Sequence, residues 1–179
     1  DATQIIPLPE AADYEVKLRE QTQETKKLRT KRQETFKRFW TQFIELSAKH
    51  SDLFANRSAT TDHWLSAGIG RAGFNITASL TEDRARMECY WRVGKNNAAL
   101  NKQLFNTLLA QRDSIEAAFG EKLDWQELPG KDGCRVCIDN LAGGWKSPET
   151  EWPVLQHWLS DRAVKLERAL KAPIQALKF

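Results

Sequence analysis

One glycine pattern in the chain, Gly68-Ile69-Gly70-Arg71-Ala72-Gly73, has the spacing of a dinucleotide-binding fingerprint. That fingerprint needs a strand before it and a helix after it, because the pyrophosphate lies on the helix N-terminus. Here an alternating strand pattern follows the glycines, and nothing before them reads as a strand. We therefore predict a glycine-rich turn without a bound cofactor, in which Arg71 could still contact a phosphate.

The cysteines are the next residues that could carry chemistry. Cys134 and Cys137 form a C-x-x-C pair within an alternating strand pattern. Residues three apart in a strand point to opposite faces, so the two sulfurs cannot share one metal ion. A third cysteine, Cys89, makes the number odd, which disfavours a secreted disulfide framework. We predict no metal site and a cytoplasmic location.

Residues typical of catalysis are present but scattered. The histidines lie far apart and next to apolar residues, which predicts structural roles for His50, His63 and His157. The pairs Glu15/Lys17 and Glu24/Lys26 match the Glu-x-Lys pattern of a nuclease. Both pairs fall in a helical segment, whereas the metal of a nuclease needs carboxylates at the end of a strand. We predict no catalytic residues and no enzyme activity in this chain.

Residues 13–49 contain no Gly or Pro, which predicts one long helix. This helix must position much of the charge. Its first half is polar, with Leu28 the only large apolar residue between 19 and 35. Its second half carries an apolar stripe at helical spacing, formed by Phe36, Phe39, Trp40, Phe43 and Ile44. We expect residues 1–35 to be a linker and projecting helix and 36–179 an α+β domain; residues 14–35 are called the basic arm.

Alternating apolar residues predict four strands, at 73–81, 85–93, 122–128 and 134–140. A helix ending at Gly120 separates two hairpins, and another follows Trp152-Pro153. The fold class is therefore α+β: a long N-terminal helix followed by two strand-strand-helix units. We expect a four-stranded antiparallel sheet with the helices on one face and a polar, open second face.

Positive charge is concentrated near the start of the chain. Residues 17–50 hold ten Lys or Arg against four Glu, although the whole chain has a net charge of only +3. Such a stripe is typical of contact with nucleic acid or an acidic partner, although an ordinary solvated helix face has the same composition. The candidate contact residues are Lys26, Lys27, Arg29, Lys31 and Arg32 in the arm, and Arg71, Arg86, Tyr90, Arg92 and Arg135 on or near the sheet.

Several segments between residues 36 and 170 resemble a bacterial family of domains of unknown function. They are Phe39-Trp40, Asn56-Arg57, His63-Trp64-Leu65, the glycine motif, Trp125 to Lys131 and Trp152-Pro153. Members of that family commonly stand C-terminal to restriction-endonuclease-like nuclease domains. The resemblance implies a role in DNA processing or phage defence, DNA in preference to RNA, and a nuclease-like domain or protein as partner. It supplies no catalytic residues.

Two functions remain open on the sequence. The first is a non-catalytic accessory domain that binds nucleic acid without sequence preference, using the basic helix and the polar sheet face. The second is a protein-interaction or homo-oligomerisation module that pairs through the polar helix. No run of about twenty apolar residues occurs, so we expect no membrane association. The absence of an initiator Met leads us to expect a segment of a longer protein.

Overall fold

A computed structural model describes residues 9–179, with side-chain surroundings from Tyr14 onward. The helices are α1 (Pro9–Ser47), α2 (Ala98–Leu109), α3 (Arg112–Phe119) and α4 (Trp152–Gln175), the last preceded by a 3-10 turn over Glu149–Glu151. The strands are β1 (Trp64–Gly68), β2 (Phe74–Leu80), β3 (Ala85–Trp91), β4 (Asp124–Gln126) and β5 (Cys134–Asn140). None of the described helices combines the length and the apolar composition that a membrane span requires.

The strands form one antiparallel sheet in the order β1-β2-β3-β5-β4. Its apolar face is covered by helices, and α4 packs directly on β2 and β3. The predicted α+β class, the antiparallel pairing and the one-sided arrangement of helices are thereby confirmed. The sheet has five strands, however, and the predicted number of four was wrong.

The missed strand is β1, which ends at Gly68, the first residue of the glycine motif. Its inward residues, Leu65 and Ala67, are buried, whereas Trp64 and Gly68 are exposed. The statement that nothing before Gly68 forms a strand was therefore wrong. The prediction failed because five residues with a small or polar residue at every second position give a weak periodic signal.

Other boundaries differ by a few residues. The helix α1 begins at Pro9 rather than 13, which suits proline because the first turn of a helix leaves its N–H groups without intrahelical acceptors. The predicted linker at 1–8 lies outside the described residues. The helix that ends at Gly120 is divided into α2 and α3 at Ala110 and Gln111. Gly120 has φ +98°, the left-handed conformation expected of a helix-terminating glycine.

The two halves of α1 differ in burial as the sequence predicts. Every residue from 14 to 32 is exposed, so this part of the basic arm does not pack on the core. Phe36, Phe39, Trp40 and Phe43 are buried in the second half. The Phe39 ring meets the rings of Trp40 and Trp152 edge-on at 5.0 and 5.3 Å between centroids.

Hydrogen bonds and an ion pair fix the orientation of α1 against its neighbours. The buried Gln156 side chain of α4 donates to the Phe39 carbonyl oxygen at 3.2 Å. Trp40 Nε1 donates to the Asp62 carbonyl oxygen at 2.8 Å, which fixes the loop before β1 against α1. Arg38 forms an ion pair with Glu149 at 2.7 Å. The end of the arm is thus held at a defined angle to α4 and to β1.

We predict that Phe39→Ala lowers the free energy of unfolding by about 3–5 kcal/mol, because it leaves a cavity among buried aromatic rings. The matched control is Leu28→Ala on the same helix, where the side chain is 64% exposed and the loss should stay within about 0.5 kcal/mol. Equilibrium urea unfolding measures both. Equal losses for the two variants would contradict the docking of α1 described above.

A buried carboxylate, Glu116 of α3, holds the segment that leads into β4. Its Oε1 accepts hydrogen bonds from Leu123 N at 3.1 Å, Trp125 Nε1 at 3.2 Å and Arg112 Nε at 3.1 Å. Lys122 Nζ lies 3.0 Å from Oε2. Burial by itself raises the pKa of Glu116, but the bonds from Leu123, Lys122, Trp125 and Arg112 outweigh it and lower the pKa to about 2.

Because the folded-state pKa of Glu116 lies below its unfolded value of about 4.3, its contribution to stability is present above that value. The contribution is lost as the pH falls towards 2. We predict that Glu116→Gln costs roughly 2 kcal/mol at pH 7 and that its difference from wild type shrinks between pH 4.3 and 2. Urea unfolding across this range is the measurement, with the exposed Glu127→Gln as control. If the difference in stability between Glu116→Gln and wild type did not depend on pH, the lowered pKa assigned to Glu116 would be refuted.

Candidate nucleic-acid interface

The face of the sheet away from the helices carries its polar side chains in three cross-strand rows. The first row is Trp64, Ser79, Arg86 and Asp139; the second is Ser66, Thr77, Glu88, Cys137 and Asp124; the third is Gly68, Asn75, Tyr90, Arg135 and Gln126. The strand-to-strand spacing of about 4.8 Å brings neighbours in each row within side-chain reach. The expected polar face is confirmed for Arg86, Tyr90 and Arg135, which share it with Asn75, Thr77 and Ser79, whereas Arg92, expected on the same face, lies beyond the end of β3.

This face is concave at its β1–β2 end, where a cleft of about 570 Å³ lies. Its floor consists of short side chains, namely Ser66, Asn75, Thr77 and Ser79. Longer side chains surround the floor: Arg57 and His63 from the loop before β1, Trp64, Glu88, Tyr90 and Arg135. The concavity therefore follows from a difference in side-chain length and from the loop between α1 and β1.

The arginines of the sheet are engaged in ion pairs. Arg86 forms two bonds to the Asp139 carboxylate, at 2.6 and 3.0 Å. Arg135 donates to Glu88 Oε2 at 3.2 Å and to Gln126 Oε1 at 2.6 Å. Arg92 lies just beyond β3 and pairs with Asp132 at 3.1 Å. Their positive charge is largely balanced within the domain.

The middle of this face is more enclosed than the sequence predicts. Thr77, Glu88 and Cys137 are buried there beneath the longer side chains around them. Burial raises the pKa of Glu88, against the opposing effect of Arg135 and Arg86. Burial also raises the pKa of the Cys137 thiol to about 11. The face is thus a polar layer with a cleft at one end.

Three further sequence predictions concern single residues. Cys134 and Cys137 lie on opposite faces of β5, as expected, and burial raises the pKa of both thiols. Arg71 donates to the carbonyl oxygens of Ile174 and Gln175, both at 2.9 Å, and its guanidinium stacks on the Phe179 ring at 4.1 Å. This places Arg71 at the C-terminal end of α4, away from the sheet-face rows.

The three histidines are exposed, and their structural roles stay a prediction. His50, just beyond the end of α1, lies beside His157 of α4 with ring centroids 6.4 Å apart. Among the residues that the structure describes, no three His, Cys, Asp or Glu side chains converge closely enough to hold a metal ion.

The cations of the basic arm are arranged differently from those of the sheet. All five candidates are exposed: Lys26, Lys27, Arg29, Lys31 and Arg32. The ion pairs that α1 makes over its described side chains involve Arg19 and Arg38 instead. At 100° per residue, Lys27 and Lys31 share one side of the helix, whereas Arg29 and Arg32 share a side about 150° further round, which corrects the expectation that the two sides adjoin.

A groove lies where the arm meets the domain. It has a volume of about 360 Å³ and is lined by Arg29 and Arg32 on one side and by Thr61, Asp62, His63, Glu82 and Trp145 on the other. His63 also lines the sheet-face cleft. One exposed imidazole therefore lies between the basic arm and the cleft.

Sequence reasoning missed Arg57, His63, Trp64, Ser66 and Glu88 as site residues. Trp64 and Ser66 would have been found if β1 had been recognised, because they share its outward parity. Glu88 shares the parity of Arg86 and Tyr90, which the strand pattern of β3 already showed. Arg57 and His63 lie in segments that carry the family resemblance, but no periodic pattern assigns them to the cleft, since the tertiary path of a loop brings them there.

The fold and site define an α+β domain with a projecting basic helix and a cleft on its exposed sheet face. The chain belongs to the family described as a domain of unknown function, DUF4268, whose model matches residues 35–174. This confirms the expected family of unknown function. No curated protein has a significantly similar sequence. Among solved structures, the chain is similar to Escherichia coli YbjN, a "putative transcription regulator", with a sequence identity of 12%. The match covers 63% of this chain and 78% of that chain, and the TM-score is 0.35.

Gly133 gives a test of the geometry at the Tyr90 edge of the site. A Cβ added there would lie 2.7 Å from the Trp91 carbonyl oxygen and would collide with the Tyr90 ring. We predict that Gly133→Ala displaces Tyr90 and destabilises the fold by about 1–3 kcal/mol, as overpacking does. Gly68→Ala is the control, since a methyl group there meets nothing within 4 Å. Equal urea midpoints for both variants would contradict this placement of Tyr90.

Proposed function

We propose that this domain is a non-catalytic accessory module that binds nucleic acid without sequence preference, DNA rather than RNA, with the basic arm as the main contact. The observation that carries the proposal is the set of five exposed cations on a projecting helix. A helix that stands clear of its domain can lie along a phosphate backbone with little steric hindrance. The accessory role beside a nuclease-like or phage-defence activity rests on the family resemblance alone.

The distribution of ion pairs supports the arm over the sheet as the source of affinity. Arg86, Arg92 and Arg135 would have to leave carboxylate partners before they could bind a phosphate. The arm cations exchange only water and counterions, and counterion release is the main source of non-specific affinity. The sheet face then serves as a secondary contact.

A second candidate is pairing of the arm with another protein or a second copy of this chain. It is favoured by exposed apolar side chains along the arm: Tyr14, Val16, Leu18 and Leu28 are each more than half exposed. Tyr14 and Leu18 lie four residues apart and share one side of the helix. A partner helix that covered them would remove apolar surface from water.

The deciding measurement is a salt titration of binding to a short DNA duplex. We predict that replacing Lys26, Lys27, Arg29, Lys31 and Arg32 with Glu abolishes retention of the duplex at moderate salt. The slope of log affinity against log salt should become shallower by up to about 4.5, since each lost phosphate contact removes about 0.9. An RNA duplex of equal length should bind more weakly to the wild type.

The matched control reverses five cations elsewhere, with the same change in net charge. Lys49, Lys95, Lys131, Arg168 and Lys171 are all exposed and lie outside the arm. This variant should keep most of the duplex affinity and its salt slope. If the arm variant binds as well as wild type, the proposal is wrong. If the arm variant changes the oligomeric state measured by light scattering and leaves DNA binding unchanged, pairing of the arm with another protein chain is supported in place of DNA binding.

A further inference from the structure

The sheet-face cleft has features of a ligand site that phosphate binding along the arm does not use. It combines exposed aromatic surface, a floor of hydrogen-bonding groups and an exposed guanidinium. It also meets the groove beneath the arm at His63. A strand lying on the arm would therefore reach the cleft without crossing the covered, helical side of the sheet.

We propose that the cleft receives an unpaired nucleotide of a nucleic acid whose backbone lies on the basic arm. The proposal deepens the proposed function and rests on it for the source of the strand. The base would stack at the Trp64 corner of the cleft, and its edge would meet the polar floor.

Stacking is the first reason for this assignment. Trp64 is 43% exposed, although a tryptophan of this size is costly to leave in contact with water. Its position on an edge strand leaves its ring accessible beside the cleft. A base that stacks on such a ring adds affinity whatever its identity. A base inside a duplex cannot offer its face, so the bound nucleotide must be unpaired.

The floor offers donors and acceptors suited to the edge of a base. The Ser66 and Thr77 hydroxyl groups lie 2.7 Å apart and share a hydrogen bond. Asn75 adds an amide group that both donates and accepts, and Glu88 adds carboxylate oxygens at the back of the cleft. Unpaired bases are recognised through such contacts to their polar edges.

The charged side chains that line the cleft favour a phosphate group near its opening. Arg57 is exposed, and its side chain lines the rim. Glu88 is the only carboxylate among the lining residues, and Arg135 compensates it at 3.2 Å. The volume of about 570 Å³ lies within the range of sites for small organic ligands, which includes a nucleotide.

The test compares three DNA duplexes by fluorescence anisotropy at one salt concentration: blunt, with an overhang of five thymidines, and with an overhang of five abasic sugars. The abasic overhang keeps the phosphates and lacks the bases. We expect wild type to bind the thymidine overhang at least about fivefold more tightly than the abasic one, since one stacked base contributes about 1 kcal/mol or more. Trp64→Ala should lose this preference and keep its affinity for the blunt duplex.

Two further variants act as controls. Trp64→Phe retains an aromatic face and should keep most of the preference. Trp158→Ala removes a partly buried tryptophan from α4, in the helical layer on the other side of the sheet, and should behave as wild type. The urea midpoint of each variant verifies that the fold is retained.

The outcomes separate this proposal from the proposed function. Equal binding of thymidine and abasic overhangs by wild type, or a preference that survives in Trp64→Ala, would overturn the assignment of the cleft while duplex binding stands. A Trp64-dependent preference for thymidine without any binding of the blunt duplex would support the cleft and refute the arm. Competition by free thymidine monophosphate as strong as that by the oligonucleotide would assign the cleft to a free nucleotide and overturn the proposal of a strand.

Discussion

The docking of one apolar face of α1 against α4 is the constraint on which the rest of the structure depends. The Phe39 ring meets Trp40 and, across the two helices, Trp152 edge to face, which is the arrangement that the charge distribution of aromatic rings favours. The same contact determines where the polar half of α1 leaves the domain. Since α4 lies on β2 and β3, the junction relates the direction of the basic arm to the strands of the sheet. Aromatic packing therefore controls the placement of charges that do not themselves touch the core.

Electrostatics divides the cations of the chain into two groups. On the sheet, arginines pair with carboxylates of the adjacent strand: Arg86 of β3 lies directly opposite Asp139 of β5, and Arg135 of β5 reaches Glu88 of β3 from a diagonal position. These pairs stabilise the register of the sheet and balance its charge. On the arm, Asp62 and Glu82 line one groove with Arg29 and Arg32, but none of the five exposed cations forms an ion pair with a described carboxylate, and they stay solvated. The same residue types thus have a structural function in one place and remain available for a partner in the other.

The cleft exists because different elements cover the two faces of the sheet. Helices pack on the apolar face, whereas, among the described residues, the polar face is met by a loop and by its own long side chains. Short residues at one end of the polar face leave space that those long side chains surround. Enclosure in that space lowers the local polarity and raises the pKa of Glu88, so hydrogen bonds made there are stronger than on an open surface. A polar face that is partly enclosed in this way is suited to recognising a polar ligand.

The sequence by itself determined the features that depend on local periodicity. Helical spacing located the apolar stripe from Phe36 to Ile44 and the exposed first half of α1. Alternation located β2, β3 and β5 and placed Asn75, Arg86 and Arg135 on one face, because side chains in a strand alternate between faces whatever the surroundings. The tertiary structure alone decided the rest. It added β1, whose pattern is too short to recognise, paired each sheet arginine with a carboxylate, and used Arg71 to bind the end of α4. It also brought Arg57 and His63 to the cleft through a loop, because contacts between distant segments depend on packing and leave no periodic mark in the sequence.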